Sequence, residues 1–317
     1  MEVLIALAAL VVSLVFLNKG ADWLVEGASS LATIARVSPL IIGLTIVAFG
    51  TSLPELAVSV TASLEGDAGI SVGNVVGSNI ANILLILGIS AMVRPISCSV
   101  QVSTRDSLVM VASAVLLVIL AMDGGIGRLD AVILLFAFIA YMVHFSMEAR
   151  RQHEEGSELP VPEGTEGRGV SSVKTVGGLV IVLISSAVLV LTAMYIAREV
   201  NVPTEIIGLS IVAFGTSVPE LATSVVASRE GKADLCLGNV VGSNIFNTLL
   251  VLGAAGAIRA LTVESFMWLD MAIMLGVSTM LVPLLRSGMV LSRREGVVML
   301  AGYALYLVYV FTYGTAT

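Results

Sequence analysis

Two glutamates, Glu55 and Glu220, lie inside long apolar stretches at positions that fall near mid-membrane depth. A carboxylate at that depth costs at least a few kcal/mol by insertion scales, so it marks function by default. A single buried Glu is also explained by a protonated acid that locks helices together. Two at equivalent points of a repeated sequence argue against that explanation. Each closes a Gly-Thr-Ser-X-Pro-Glu run, Gly50 to Glu55 and Gly215 to Glu220. Proline removes an N–H and clashes with the carbonyl four residues back, here Gly50 and Gly215. The expected break frees the carbonyls of Ala48, Thr51, Ala213 and Thr216, which only a polar cavity would tolerate. Thr51 and Glu55 are four apart, as are Thr216 and Glu220, so hydroxyl and carboxylate share a helix face.

The next apolar stretch adds Ser78 with Asn82, and Ser243 with Asn247, again four apart. Gly69, Gly73 and Gly77 precede the first pair, and Gly238 and Gly242 the second. Small residues at that spacing let helices approach closely. The collected groups are carboxylates, hydroxyls, amide oxygens and backbone carbonyls, without His or Cys. Hard oxygen donors select hard cations, namely Ca²⁺, Na⁺, and less readily Mg²⁺ or Mn²⁺. Two carboxylates are balanced by one Ca²⁺ or by Na⁺ ions, which is the basis for competition between cations at one site.

These residues need a membrane around them, and the composition supplies one. Of 317 residues, 57% are hydrophobic and 12% charged, against about 25% charged in soluble domains. Mean hydropathy is +1.02. A soluble enzyme, a disordered chain and a nucleic-acid binder are excluded. Continuous apolar runs disfavour a β-barrel. The net charge of −7 is uninformative until placed. Cys98 and Cys236 make no disulfide framework or metal spacing. The start lacks the basic segment of a cleaved signal peptide, so the first run reads as a retained span. No nucleotide-binding fingerprint occurs.

Apolar runs and polar breaks predict ten spans, near 3–33, 39–63, 68–92, 104–121, 127–148, 173–198, 204–228, 234–257, 264–285 and 295–313. The polar stretch 149–172 reads as a flexible linker between five-span halves, 1–148 and 173–317. The halves are related: residues 43–88 align without gaps on 208–253, offset by 165, with 33 identities in 46 positions. An odd number of spans per half inverts the second. The expected fold is therefore all-α, ten transmembrane helices in two inverted five-helix repeats with broken helices at the midplane. Of 16 Lys and Arg, 12 fall on one set of loops and three on the other. By the positive-inside rule both termini are extracellular and the linker cytoplasmic.

The pairing of GTSLPE with GNVVGSNIAN, repeated as GTSVPE with GNVVGSNIFN, resembles the two α-repeats of the sodium/calcium exchanger family, within the cation/calcium antiporter superfamily. The compact prokaryotic members are the nearest likeness. The resemblance implies exchange of three Na⁺ for one Ca²⁺ by alternating access. Two short outer-edge helices, here the first and sixth spans, would slide across an eight-helix body. The ion ligands it implies are Ala48, Thr51, Ser52, Glu55, Ser78 and Asn82, and Ala213, Thr216, Ser217, Glu220, Ser243 and Asn247. The glutamates would serve Ca²⁺ and the neighbouring Na⁺ sites. Ser52, Ser78, Ser217, Ser243 and the alanine carbonyls would serve mainly Na⁺. Some relatives, potassium-dependent ones among them, carry Asp where this chain has Asn247, which argues against K⁺ co-transport. The proton/calcium branch carries an acidic residue where this chain has Gly77-Ser78 and Gly242-Ser243.

The expected partners are thus Ca²⁺ and Na⁺ as cargo and the lipid bilayer of the plasma membrane. No resident cofactor, catalytic residue, nucleic acid or obligatory protein partner is expected. The competing readings are an antiporter coupled to H⁺ or moving another divalent cation, a passive cation channel, and an intramembrane protease with paired carboxylates. The last needs two Asp rather than Glu in oxygen cages. Lys19, Asp22 and Glu26 read as structural, near the cytoplasmic end of the first span, with Lys19 and Asp22 spaced for an ion pair. His144 and His153 read as solvated, the 13 Met as lipid- or core-facing. Cys236 stands where Ser71 stands in the first half, so a small buried residue suffices there.

Overall fold

The computed structural model describes residues 2–100, 102–155, 166–199, 213–265 and 267–313. Among them, eight helices are long and apolar enough to cross a membrane. A ninth span counts Pro39–Thr51 and Leu53–Glu65 as one helix bent by 44°. The expected span 204–228 begins outside the described residues. Its visible part is α10 (Ala213–Gly215) and α11 (Val218–Arg229). The first half holds α1 (Glu2–Ala35), α2 (Pro39–Ile42), α3 (Ala48–Thr51), α4 (Leu53–Glu65), α5 (Ala68–Ala81), α6 (Leu87–Val93), α7 (Ser107–Ala121) and α8 (Arg128–Glu155). The second opens with α9 (Arg168–Glu199) and continues after α11 with α12 (Ala233–Phe246), α13 (Leu252–Ile258), α14 (Met267–Arg286) and α15 (Arg293–Tyr313).

Burial separates a centre from a rim. The continuous spans Ala68–Val93 and Ala233–Ile258 are 78% and 94% buried, against 11% for Arg293–Thr312 and 17% for Arg168–Glu199. The rim helices turn Leu, Val, Ile and Phe outward, which a bilayer accepts and water would not. The two spans that carry Ser78, Asn82, Ser243 and Asn247 are therefore the core of the protein.

Four two-residue strands fix the direction of the helices. β1 (Ile96–Ser97) pairs antiparallel with β4 (Val290–Leu291), and β2 (Gly125–Ile126) with β3 (Leu261–Thr262). The 165-residue offset carries β1 onto β3 and β2 onto β4. β1 precedes α7 and β2 follows it; β3 precedes α14 and β4 follows it. The start of α7 is thus tied to the end of α14, and its end to the start of α14. These two sequence-equivalent helices run antiparallel.

Other contacts repeat with the halves exchanged. Ser63 Oγ donates to the Ala255 carbonyl and Ser228 Oγ to the Ser90 carbonyl, both at 2.7 Å. Gly66 and Gly231 have φ of +89° and +78°, and a Cβ on either would overlap the guanidinium of Arg259 or Arg94. Glycine supplies both the left-handed turn and the room.

Three expectations change. The first and sixth helices are long, 34 and 32 residues, not short. They pack backbone to backbone, since a Cβ on Gly27 would lie 2.6 Å from the Thr175 nitrogen and one on Gly20 3.0 Å from that of Val182. The stretch 149–172 is helical at both ends, to Glu155 and from Arg168. Arg151 pairs with Glu148 and Glu155 at 3.3 and 3.6 Å, the spacing that supports a helix; 156–165 lie outside the described residues. His153 is exposed, yet its Nδ1 lies 2.8 Å from the Ala35 carbonyl that ends α1. Lys19 lies 3.9 Å from Asp22, but Asp22 also pairs with Arg229 of α11 and Glu26 pairs with Lys174 of α9. Arg229 reaches Asn18 as well, at 3.2 Å.

The antiparallel relation of α7 and α14 predicts the sidedness of equivalent loops. Single cysteines at Asp123 and Ser287, in a background lacking Cys98 and Cys236, should react with an impermeant maleimide from opposite faces of the membrane. Labelling of both from one face would contradict it.

Candidate functional site

The two helices break two residues later than proline geometry alone suggests, at Ser52 and Ser217 rather than Gly50 and Gly215. A π-helical turn, Gly43–Val47, leads into α3, and the break falls at Ser52, with φ −81° and ψ 5°. Ser217 is the counterpart, at −86° and 5°. Pro54 and Pro219 occupy the first turns of α4 and α11, where no N–H is needed and the ring fits. The Ala48 carbonyl is not left free: it accepts the Ser52 N–H at 3.0 Å and lies 3.4 Å from the Thr51 hydroxyl. In the second half the Ser217 N–H reaches the Phe214 carbonyl at 3.1 Å. The restart places Glu55 and Glu220 in the first turns of their helices, where the positive end of the helix dipole favours a carboxylate.

Both carboxylates are fully buried. Among the described residues neither has a Lys, Arg or His nitrogen within ion-pair distance. Their first oxygens are held across the halves. Ser217 Oγ donates to Glu55 Oε1 at 3.3 Å, and Ser52 Oγ to Glu220 Oε1 at 3.2 Å. Ser243 Oγ lies 3.4 Å from Glu220 Oε1, and Ser217 Oγ 3.2 Å from Ser78 Oγ. Six residues expected from the sequence are thereby brought together. Thr51 and Thr216 also face the opposite glutamate, Thr51 the carboxyl of Glu220 and Thr216 that of Glu55. Their hydroxyls meet Asn239 Oδ1 at 3.2 Å and Asn74 Oδ1 at 3.3 Å.

Asn74 and Asn239 were not anticipated as site residues. Asn74 Nδ2 donates to the Glu55 carbonyl at 3.2 Å and Ser59 Oγ at 2.9 Å; Asn239 Nδ2 donates to the Glu220 carbonyl at 3.4 Å and Ser224 Oγ at 2.9 Å. Each clasps the turn that carries its glutamate. Their signal was present: Asn74, Ser78 and Asn82 recur every four residues on one helix face.

The glycines explain how the core span comes so close. A Cβ on Gly238 would lie 2.8 Å from the Leu40 carbonyl oxygen, and one on Gly242 3.0 Å from that of Leu44. The counterpart surface for Gly73 and Gly77 falls at 205–212, outside the described residues. Ala213 opens α10.

Among the described residues, four buried oxygens of the expected ligand set have no hydrogen-bond partner: Glu55 Oε2, Glu220 Oε2, Asn82 Oδ1 and Asn247 Oδ1. They form two pairs related by the repeat offset. Each can only accept, and a buried acceptor left alone costs roughly 1–3 kcal/mol, more if charged. A bound cation is the kind of group that answers such acceptors. Asn82 and Asn247 each open a further π-helical turn, Asn82–Ile86 and Asn247–Val251, a distortion frequent at functional sites. Among the described residues no three His, Cys, Asp or Glu converge. The donor set is two carboxylates completed by neutral oxygens, which fits Ca²⁺ or Na⁺ and not a soft metal.

A family model for sodium/calcium exchanger proteins matches residues 5–147 and 171–312. A sodium/calcium exchanger of Methanosarcina acetivorans is 34% identical over 346 residues, spanning 95% of this chain and 97% of that protein. A putative antiporter of Alkalimonas amylolytica is 37% identical over 323 residues, spanning 98% and 99%. The solved structure of the sodium-calcium exchanger NCX_Mj, soaked with zero Na⁺ and Ca²⁺, superposes with a TM-score of 0.84 at 31% identity, covering 97% of this chain and 99% of that one.

The clasp on α11 is open to test. Asn239→Ala removes one partner each from the Thr51 and Ser224 hydroxyls and the Glu220 carbonyl. It should lower stability by about 1–3 kcal/mol, read as a lower thermal midpoint in detergent. An unchanged midpoint would show the clasp to be dispensable.

Proposed function

The chain belongs to the sodium/calcium exchanger family, and from that premise we propose that it is an electrogenic antiporter exchanging three Na⁺ for one Ca²⁺ by alternating access. The observation that carries the reading is the set of four buried, unpaired acceptor oxygens on Glu55, Glu220, Asn82 and Asn247. The proposed ligand set adds Thr51, Ser52, Ser78, Thr216, Ser217 and Ser243 and the carbonyls of Ala48 and Ala213. One Ca²⁺ neutralises the two carboxylates, and so do two Na⁺. Either cargo therefore excludes the other, and a site without its cation is costly, so the carrier turns over loaded. No ATP and no resident cofactor enter this cycle.

The proposed architecture has ten spans as two inverted repeats, with both termini outside, the linker in the cytoplasm and the plasma membrane as its location. The opposite directions of α7 and α14 support inversion. Inversion gives the midplane site equivalent routes to either face. The moving part in this reading is the α1–α9 pair, whose helices meet each other along glycines, touch the core through contacts such as Asp22 with Arg229, and expose much of their remaining surface. The core spans supply the fixed site.

Charge decides the stoichiometry. A two-for-one exchange would move no net charge. The flanking hydroxyls Ser52 and Ser217 offer oxygen beyond the carboxylate pair, enough for a third Na⁺, as the family resemblance implies. A third Na⁺ carries one extra charge, worth about 2.3 kcal/mol per 100 mV. That shifts the equilibrium Ca²⁺ gradient by more than about tenfold. Asn82 and Asn247 contribute oxygen without charge, so nothing balances a co-transported K⁺.

Uptake of ⁴⁵Ca²⁺ into proteoliposomes tests the central claim. Glu55→Gln and Glu220→Gln should each abolish Na⁺-driven uptake while the protein still inserts. Near-normal uptake in either variant would remove the proposal. At fixed Na⁺ gradients, an imposed potential should change wild-type flux, and exchange of K⁺ for choline at a clamped potential should not. Flux blind to voltage would indicate two-for-one exchange. Flux lost with K⁺ would mean that the asparagines accommodate it.

A further inference from the structure

An asparagine amide has two nearly isosteric ends with opposite roles, an oxygen that accepts and an NH₂ that donates. A cation needs the oxygen. Nothing within Asn82 or Asn247 decides which end faces the site. The surroundings do. Asn82 Nδ2 donates to Asn244 Oδ1 at 3.2 Å, and Asn247 Nδ2 donates to Asn79 Oδ1 at 3.2 Å. Both oxygens, Asn82 Oδ1 and Asn247 Oδ1, are then left turned away, buried and unpaired.

Asn79 and Asn244 are themselves held. Asn79 Nδ2 donates to Thr248 Oγ1 at 2.9 Å and lies 3.4 Å from the Asn244 carbonyl. With its nitrogen engaged, the Asn79 oxygen is the end left for Asn247. The counterpart of Thr248 is Ile83, and Asn244 instead turns its nitrogen to Met110 Sδ at 3.4 Å. All four asparagines are 2% exposed or less, so water cannot substitute for a lost partner.

We propose that Asn79 and Asn244 are positioning residues that fix the amides of Asn247 and Asn82, each across the boundary between the halves, so that oxygen and not NH₂ faces the cation. The proposal rests on the cation-site reading above and adds its orientation control. The cross-over is specific: Asn79 acts on Asn247 and Asn244 acts on Asn82. Loss of an orienting partner around a metal ligand typically costs about 10–100-fold in affinity. An amide released to turn its NH₂ inward opposes the cation as well.

Equilibrium ⁴⁵Ca²⁺ binding to the purified full chain in detergent tests this without requiring turnover. Asn79→Ala should weaken Ca²⁺ binding about 10–100-fold, and Asn79→Asp, which keeps an accepting oxygen, should recover most of the loss. In an Asn247→Ala background the Asn79→Ala effect should vanish; in an Asn82→Ala background it should persist. A merely structural role would weaken binding equally in both. Equal losses, or an Asn79→Ala variant with wild-type affinity, would overturn the proposal. If Asn79→Ala does not fold, the mirrored cycle of Asn244→Ala against Asn82→Ala and Asn247→Ala decides it. Unaltered Ca²⁺ affinity in Asn79→Ala together with lost affinity in Glu55→Gln would sink the positioning role and leave the exchanger reading standing. Wild-type protein that binds no Ca²⁺ would sink both.

Discussion

Two carboxylates face each other's halves deep in the protein, with no basic side chain among the described residues within ion-pair distance of them. Every other feature of the core serves that constraint. Negative charge in a low-dielectric interior is tolerated only when paired, hydrogen-bonded or neutralised. Here the protein supplies the hydrogen bonds and withholds the positive charge. Helix N-termini, serine hydroxyls and asparagine amides make each glutamate bearable but leave one oxygen of each unanswered. In the proposed reading the remaining compensation comes from a mobile cation.

Neither half can build this environment alone. Glu55 depends on Ser217, Glu220 on Ser52, Thr51 on Asn239 and Thr216 on Asn74. The same exchange governs the asparagine pairs and the short strand pairs at the helix ends. Antiparallel equivalents let one set of local solutions be used twice, and the contact that completes each comes from the other copy. Glycine permits it. Gly238 and Gly242 remove the side chains that would hold the core span off the π-helical turn before α3.

The glutamates, the repeat and the polar faces were legible in the sequence because they are local or periodic. A Glu in an apolar run stands out against its neighbours, and a 165-residue self-match needs no structure to be seen. What could not be read was pairing between residues 134 to 195 positions apart, such as Asn82 with Asn244. Propensity and periodicity describe one element's face, not what another element brings to it. The break at Ser52 was displaced from the Gly50 carbonyl because proline fits the first turn of a new helix as well as it disrupts an old one. The π-helical turns escaped for a related reason: one extra residue per turn leaves no mark in composition. The polar residues after 148 read as linker, yet ion pairs at helical spacing carry α8 to Glu155.

The resemblance between the halves ends at one edge. Asp22, Asn18 and Arg229 join α1 to α11, but the counterparts of Asp22 and Arg229 are Ala187 and Leu64. A partly exposed ion pair of this kind is worth about 1 kcal/mol at most, roughly a fivefold weighting between two states. Such a weight cannot choose the direction of net flow, which the ion gradients alone dictate. In the proposed alternating-access cycle it would weight where an idle carrier waits. A mechanism copied twice from one blueprint would otherwise rest facing either side with equal odds, and an unmatched ion pair of this kind would help give it a front and a back.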